Sequence, residues 1–338
     1  MELNQILTQL LTAAGPSGQE EGAAQAAARY LSDYAEVTTD SMGSVMGHVG
    51  DKNAPRHLLL DAHLDQIGLI VTGITDKGFV LFDKVGGIDR RVLLGHEVTI
   101  FGREELFGVV SCMPPHLVKD EERKNLPDFH ELSIDIGLTG ERAKELVTPG
   151  DRILLKSVPK FMENNTLVSA ALDNRASVAA ILYALDLIGS NCPPDTQITA
   201  LFSVQEETGE RGAVTGAYAI APTQAISIDV GFGYTPDARR EKCGDAGKGP
   251  MIGFAPVLSV TMCQRLKALA EAENIPWQYD IMGDLTGTNA DVISVSRRGV
   301  PTALVSIPLK YMHTTVEMVN TKDIEDTGRL LAAYVLKG

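Results

Sequence analysis

Two adjacent carboxylates, Glu206 and Glu207, lie one residue past an apolar run at 197–204 that reads as a buried strand. Side by side at such a strand end they repel and lose hydration, a cost that solvent, a shared proton or cations must offset. Metal-dependent hydrolysis gives the doublet a use, because one Glu holds metal while its neighbour takes a proton from the attacking water. Four further positions carry matching chemistry. His63-Leu64-Asp65 follows the run 56–60, and Leu172-Asp173-Asn174-Arg175 opens a helix. Ser227-Ile228-Asp229 closes another apolar run, and Tyr311-Met312-His313-Thr314 lies just beyond 302–307. In extended chain His63 and Asp65 point to one side, which places Asp65 to support His63 as a ligand. Each position alone has a plainer reading: Asp173 as a helix N-cap, the others as satisfied turn residues. Together the five predicted sheet ends supply two His, three carboxylates and a spare Glu. That N/O donor set suits Zn²⁺, Co²⁺ or Mn²⁺ and differs from an all-oxygen Ca²⁺ cage.

Other routes to catalysis lack their residues. The chain has no G-x-S-x-G nucleophile elbow. The glycine-rich stretch 244–249 has neither the spacing of a P-loop nor a Ser/Thr after its lysine. His96-Glu97 and His130-Glu131 are not followed by the second His of a zincin helix. Over 338 residues, 30 Lys+Arg stand against 44 Asp+Glu, a net charge of −14. No basic excess exists to neutralise nucleic acid or an anionic membrane. The longest apolar run, 178–185, is far short of the roughly 20 residues of a membrane span. Cys112, Cys192, Cys243 and Cys263 form no C-x-x-C pair, and residues 1–7 follow a helical period without a basic leader. Both features fit a cytoplasmic protein.

These residues need a scaffold that brings distant strand ends together. A first helix is expected at about 2–13, then a turn in which Ser17 and Glu20 form a capping box for a second helix over 20–32. Between 68 and 160, short β-branched runs (68–71, 78–82, 96–101, 108–111) alternate with glycines, as in a small β-barrel or sandwich. The charged stretch 117–129 reads as an exposed loop. From 165 onward helices (174–188, 212–219, 259–273, 322–336) alternate with strands (197–204, 225–229, 302–307). This alternation predicts an α/β fold, a mostly parallel sheet sandwiched by helices, with ligands beyond the strand ends. The α/β domain is expected in two pieces, 1–67 and 161–338, interrupted by a β-rich barrel-like insert at 68–160.

The motifs, taken in order, resemble those of metallo-aminopeptidase family forty-two, which includes glutamyl and tetrahedral self-compartmentalising aminopeptidases. They are Asp61-Ala62-His63-Leu64-Asp65-Gln66-Ile67-Gly68, Gly86-Gly87-Ile88-Asp89-Arg90 and Ile134-Asp135-Ile136-Gly137, then Asp173-Asn174-Arg175 and Val204-Gln205-Glu206-Glu207-Thr208-Gly209. Gly247-Lys248-Gly249-Pro250 and Tyr311-Met312-His313-Thr314-Thr315-Val316-Glu317 complete the series. The resemblance covers nearly the whole chain. It implies a zinc-peptidase-like fold and two divalent ions, Zn²⁺ or Co²⁺ with Mn²⁺ as a further candidate. His63, Asp173 and Asp229 would hold one ion; Asp173, Glu207 and His313 would hold the other. Glu206 would be the general base for water attack on a peptide carbonyl, and Asp65 the support of His63. It further implies short peptide substrates, anchored by the free amine, and a homo-oligomer. Family members dimerise through the insert, and six dimers often build a hollow tetrahedron.

Amidohydrolases acting on N-acyl amino acids share the ligand order but carry the extra domain elsewhere. Here the 110-residue gap from His63 to Asp173 exceeds the 84-residue gap from Asp229 to His313, which places the insert early, as in the aminopeptidases. The competing readings are an N-acyl amino acid deacylase and an inactive binding homologue. Two residues depart from the family pattern: Asn289 stands where Asp is common, and Lys310 where Arg is common. By analogy both lie near the substrate pocket.

Overall fold

The run that ends in His63 is buried almost throughout and forms strand β3 (Arg56–His63), the strand about which the larger domain is arranged. A computed structural model describes residues 2–111, 113, 114, 116–118 and 126–338. In it β3 belongs to an eight-stranded sheet ordered β1-β2-β12-β3-β13-β16-β14-β15. The strands are β1 (Glu36–Thr39), β2 (Val45–Gly50), β12 (Thr196–Ser203), β13 (Gln224–Phe232), β14 (Met251–Phe254), β15 (Gln278–Ile281) and β16 (Thr302–Leu309). The four central strands β12, β3, β13 and β16 are parallel, so their carboxyl ends share one edge. β1, β2 and β14 enter antiparallel at the flanks, and β15 pairs parallel with β14.

Alternation along the strands sorts core from site. Leu58, Leu60 and Ala62 join the large core with α1 (Leu3–Thr12), α2 (Glu21–Leu31), α4 (Leu172–Ile188), α6 (Val260–Ala272) and α8 (Thr321–Lys337). Leu59 packs on the other face against α5 (Arg211–Ile220) and α7 (Ala290–Ser294). Asp61 and His63 continue the Leu59 row. On β13, Ile226, Ile228 and Val230 face the large core, which leaves Ser227, Asp229 and Gly231 to the opposite face. Helix α4 is the central helix of that core; from Ala176 to Ala184 it carries no charge and is buried nearly all round.

The glycine-punctuated region folds as a closed barrel, β4-β5-β8-β7-β6-β9, so it has no exposed edge strand. Its strands are β4 (Gly68–Ile74), β5 (Val80–Val85), β6 (Glu97–Phe101), β7 (Glu105–Ser111), β8 (Ser133–Asp135) and β9 (Arg152–Leu155), with α3 (Gly140–Leu146) between the last two. Leu69, Val80, Ile100, Ile134 and Ile153 fill it. A three-stranded sheet of β10 (Lys160–Met162), β11 (Thr166–Ser169) and β17 (Glu317–Asn320) then leads the chain into α4. The mixed α/β architecture and the barrel follow the sequence expectation.

Three local expectations need correction. Ser17 and Glu20 make no capping box: α2 starts at Glu21, the Ser17 hydroxyl meets that of Thr208 at 3.0 Å, and Glu20 accepts from Gly18 N and Gln205 N. Asp229 does not close its strand, because β13 runs on to Phe232. Asp173 follows β11 of the small sheet and is not at an end of the main one. Of the expected loop at 117–129, residues 119–125 lie outside the described residues, as does Cys112; Phe129–Glu131 form a 3₁₀ turn. Cys192, Cys243 and Cys263 are free thiols. Among the described residues no helix is long and apolar enough to cross a membrane.

Candidate metal centre

At the carboxyl edge of the sheet the seven predicted residues converge. His63 ends β3, opposite Ser203 of β12. Its Nδ1–H donates to the Asp65 carbonyl at 3.1 Å, closer than the Asp65 carboxylate at 3.5 Å. That bond fixes the tautomer and leaves Nε2 facing Asp173 Oδ1 (3.2 Å), Glu206 Oε2 (3.8 Å) and Asp229 Oδ1 (3.9 Å). His313 is arranged the same way. Its Nδ1–H donates to the Gly87 carbonyl at 3.0 Å, and Nε2 lies 3.5 Å from both Asp173 Oδ2 and Glu207 Oε2. Two trios result, His63/Asp173/Asp229 and Asp173/Glu207/His313, each with ligand atoms within 4.8 Å of one another. Asp173 belongs to both and directs one oxygen at each histidine.

Backbone contacts hold these side chains in place. The Asp65 carboxylate accepts the amides of Glu206 (2.9 Å) and Glu207 (3.1 Å), so it positions the acidic doublet itself. Glu317, at the start of β17, accepts Asp173 N on Oε2 (3.1 Å) and His313 N on Oε1 (3.0 Å), tying together two residues distant in sequence. Asp173 caps no helix; Asp173 and Asn174 lie outside helical φ/ψ, and the Asn174 side-chain amide donates to Ile228 O at 2.9 Å. Arg175 is fully buried and donates to the carbonyls of Leu64, Leu10 and Ala13. It ties the first helix to the strand end that carries His63.

The electrostatics fit divalent cations. Burial pushes Glu207, Asp229 and Glu317 well above the carboxylate range, and the nearby Asp173 charge adds to each. Burial also raises Glu206 to about 7; the His63 imidazole opposes that rise, and Asp173 and Asp65 reinforce it. Burial opposes ionisation of Asp173 too, but its hydrogen bonds with His313 and His63 outweigh this and hold its carboxyl far below the usual range. Among the described residues no Lys or Arg is ion-paired with these carboxylates. Three carboxylates and two imidazole lone pairs, with Glu206 beside them and no ion-paired Lys or Arg, form a donor set that divalent ions satisfy.

Sequence reasoning missed Glu317, Gly87 and Arg175 as positioning residues. All three occur within the recognised motifs, but Glu317 and Arg175 contact main-chain atoms and Gly87 acts through its carbonyl, for which residue type gives no cue. Asn289 is buried behind the cleft wall, where its Nδ2 donates to Asp61 (2.8 Å) and Ser203 (2.9 Å). Lys310 exchanges main-chain hydrogen bonds with Met318. Gly87 permits a close approach: a Cβ there would stand 2.7 Å from His313 Nδ1. Gly87→Ala should push the imidazole aside and lower kcat/KM by about 10- to 100-fold, the typical cost of disturbing a ligand's support. An unchanged unfolding midpoint beside that loss would separate displacement of the ligand from loss of fold.

Residues 43–330 match the family described as M42 glutamyl aminopeptidase. The lysyl aminopeptidase of Pyrococcus furiosus is 30% identical over 340 residues, covering 98% of this chain and 96% of its own. The structure of a TET aminopeptidase from a marine-sediment archaeon of the Thaumarchaeota is similar with a TM-score of 0.94 at 28% identity, covering 99% of this chain and 96% of that one. The Pyrococcus horikoshii TET1 peptidase, which can assemble into a tetrahedron or a large octahedral shell, matches with a TM-score of 0.87 at 30% identity over 100% of both chains.

Proposed function

The chain belongs to the M42 glutamyl aminopeptidase family and is a peptide-bond hydrolase; on that premise we propose that it is a dinuclear metal-dependent aminopeptidase trimming short peptides, with Glu206 as general base. The observation that carries this reading is the pair of trios sharing Asp173, with Glu206 beside them and in neither. His63, Asp173 and Asp229 would hold one ion and Asp173, Glu207 and His313 the other, Zn²⁺ or Co²⁺ by donor chemistry with Mn²⁺ as a further candidate. Bound there, the ions supply Lewis acidity to the peptide carbonyl.

The protein's own groups do the remaining work. Glu206 Oε2 takes a proton from the attacking water and returns it to the leaving amine. Asp65 fixes the doublet through both amides, and the Nδ1–H bonds of His63 and His313 keep their Nε2 lone pairs turned inward. A free N-terminal amine would be anchored by the second ion and the neighbouring carboxylates, which favours an aminopeptidase over a deacylase whose substrate has lost that amine. Metal-loaded protein should therefore cleave aminoacyl-nitroanilides and leave N-acetylated amino acids intact. Activity on the blocked compounds alone would sink the proposal, and a chain that binds no divalent metal under any loading would support the inactive homologue. We further propose a cytoplasmic homo-oligomer that dimerises through the barrel insert at 68–160, by likeness to assembling relatives such as TET1; native mass spectrometry reads the state directly.

Metal removal should expose the self-repulsion of the site. In metal-free protein Glu206 keeps its proton to about pH 7, whereas the unfolded chain releases it near 4.5. The stability this contributes is fully present below 4.5 and lost as pH rises through 7. Glu207 and Asp229, also pushed up by burial, act in the same sense, while Asp173 is ionised throughout. Chelated protein should thus lose stability on the order of 2 kcal/mol between about pH 5 and pH 8. Adding Zn²⁺ or Co²⁺ should restore it, and denaturant titration in chelator would contradict the expectation if stability rose over that interval.

A further inference from the structure

Past Asp229 the cleft continues along the same face of the sheet, within a space of about 720 Å³. Gly231, two residues beyond Asp229 on β13, contributes no side chain to it. A Cβ at Gly231 would overlap Met251 Cε and stand 3.1 Å from Ser306 Cβ and 3.6 Å from Asp280 Oδ2, so Gly231 makes room for the Met251 side chain beside Ser306 and Asp280. Ser306 is the β16 neighbour of Asp229, and its hydroxyl donates to Asp280 Oδ2 at 3.3 Å. The register partner of Asp280 on β14 is Gly253, whose missing side chain is replaced by Leu304 and Leu258 packed against it. Leu304 and Met282 line the same cleft as the metal centre and this carboxylate.

Asp280 is half-buried, and burial pushes its carboxyl up. Among the described residues its one side-chain hydrogen bond is to Ser306, and no Lys or Arg is ion-paired with it. Lys242 also borders the cleft, but it is exposed and acts on Asp280 only at a distance. A carboxylate partly withdrawn from water, with one hydroxyl donor and no ion-paired cation, carries a desolvation cost that a single hydrogen bond to Ser306 offsets only in part.

We propose that Asp280 selects the substrate by pairing with a basic side chain, lysine or arginine, on the N-terminal residue, so that this enzyme prefers basic over acidic N-termini. The proposal rests on the aminopeptidase reading above. A peptide whose first amine and carbonyl occupy the metal centre sends its first side chain into the continuation of the cleft. The methylene stem of lysine runs over Leu304, and its ammonium reaches Asp280. An acidic side chain would meet a desolvated like charge. Lys242 does not reverse that sign, because a hydrated and screened charge at the rim counts for less than one inside the cleft.

The test uses metal-loaded full-length protein and the para-nitroanilides of lysine, arginine, norleucine and glutamate, norleucine matching the lysine stem without its charge. Expected kcat/KM values for lysine and arginine exceed that for norleucine by about 10- to 100-fold, and that for glutamate by more. Asp280→Asn should bring lysine and arginine down to the norleucine level and leave norleucine within about threefold. Apart from turnover, calorimetry should show L-lysine binding more tightly than L-norleucine in the wild type and equally in Asp280→Asn. An unchanged lysine-to-norleucine ratio in Asp280→Asn overturns the proposal. So does a wild-type preference for glutamate, and loss of that preference in Lys242→Gln would assign selection to Lys242. If Asp280→Asn does not fold, the wild-type panel decides, since equal cleavage of lysine and norleucine substrates overturns the proposal. A protein that cleaves norleucine without basic preference defeats this inference alone; one that cleaves no aminoacyl-nitroanilide defeats the aminopeptidase reading with it.

Discussion

Glu206→Gln should lower kcat by about 10²- to 10⁴-fold, the range that a positioned general base contributes, with little change in KM or in bound metal. The amide is nearly isosteric and removes the proton acceptor alone. The backbone of residue 206 stays anchored, because Asp65 Oδ1 accepts its amide whatever the side chain. Glu206 Oε2 lies 3.8 Å from His63 Nε2, outside both candidate trios, which is why metal content should survive. Glu206→Asp should fall between wild type and Gln, since the shorter stem withdraws the carboxylate by about 1 Å, enough to cost on the order of 10²-fold in a positioned site. Steady-state rates on one aminoacyl-nitroanilide, beside metal analysis of the same samples, distinguish the roles. A Gln variant that keeps more than about a tenth of wild-type kcat would remove Glu206 from the chemistry, and one that loses an ion would make it a ligand.

The elements legible in sequence are those whose apolar pattern is continuous. β3 could be read from Leu58–Leu60, and α4 from its uncharged turns. The flank strands β1 and β2 were not legible, because Glu36–Thr39 is mostly exposed and Val45–Gly50 is interrupted by glycine and histidine. β13 was cut short at Asp229, since a carboxylate inside a strand reads as its end unless the row it points into is known to be a cleft. Ser17 and Glu20 show the reverse failure. Their spacing satisfies a local motif, yet Thr208 and the Gln205 amide, 191 and 185 residues away, take both side chains. The site was legible as residue types gathered near strand ends. Its supports were not, because Glu317 and the Gly87 carbonyl act through the main chain.

Asp173→Asn should be the most damaging single change to metal binding. Asp173 sends Oδ1 toward His63 and Oδ2 toward His313, so each trio uses a different oxygen of one carboxylate. An amide keeps one oxygen, carries no charge, and turns an NH₂ donor toward the other site. One trio then loses a ligand while the other loses the charge that offsets its ion. Altering a group that only supports a ligand costs about 10- to 100-fold, so losing a ligand common to two sites should exceed about 10³-fold in kcat/KM. Metal content after dialysis should drop below one ion per chain. His313→Ala touches one trio only and should leave about one ion behind. Adding Glu207→Gln to Asp173→Asn should cost much less than Glu207→Gln costs alone, because residues acting as one unit are not additive. Retention of both ions by Asp173→Asn would mean that the two trios are independent sites, and the shared carboxylate would lose its place in the mechanism.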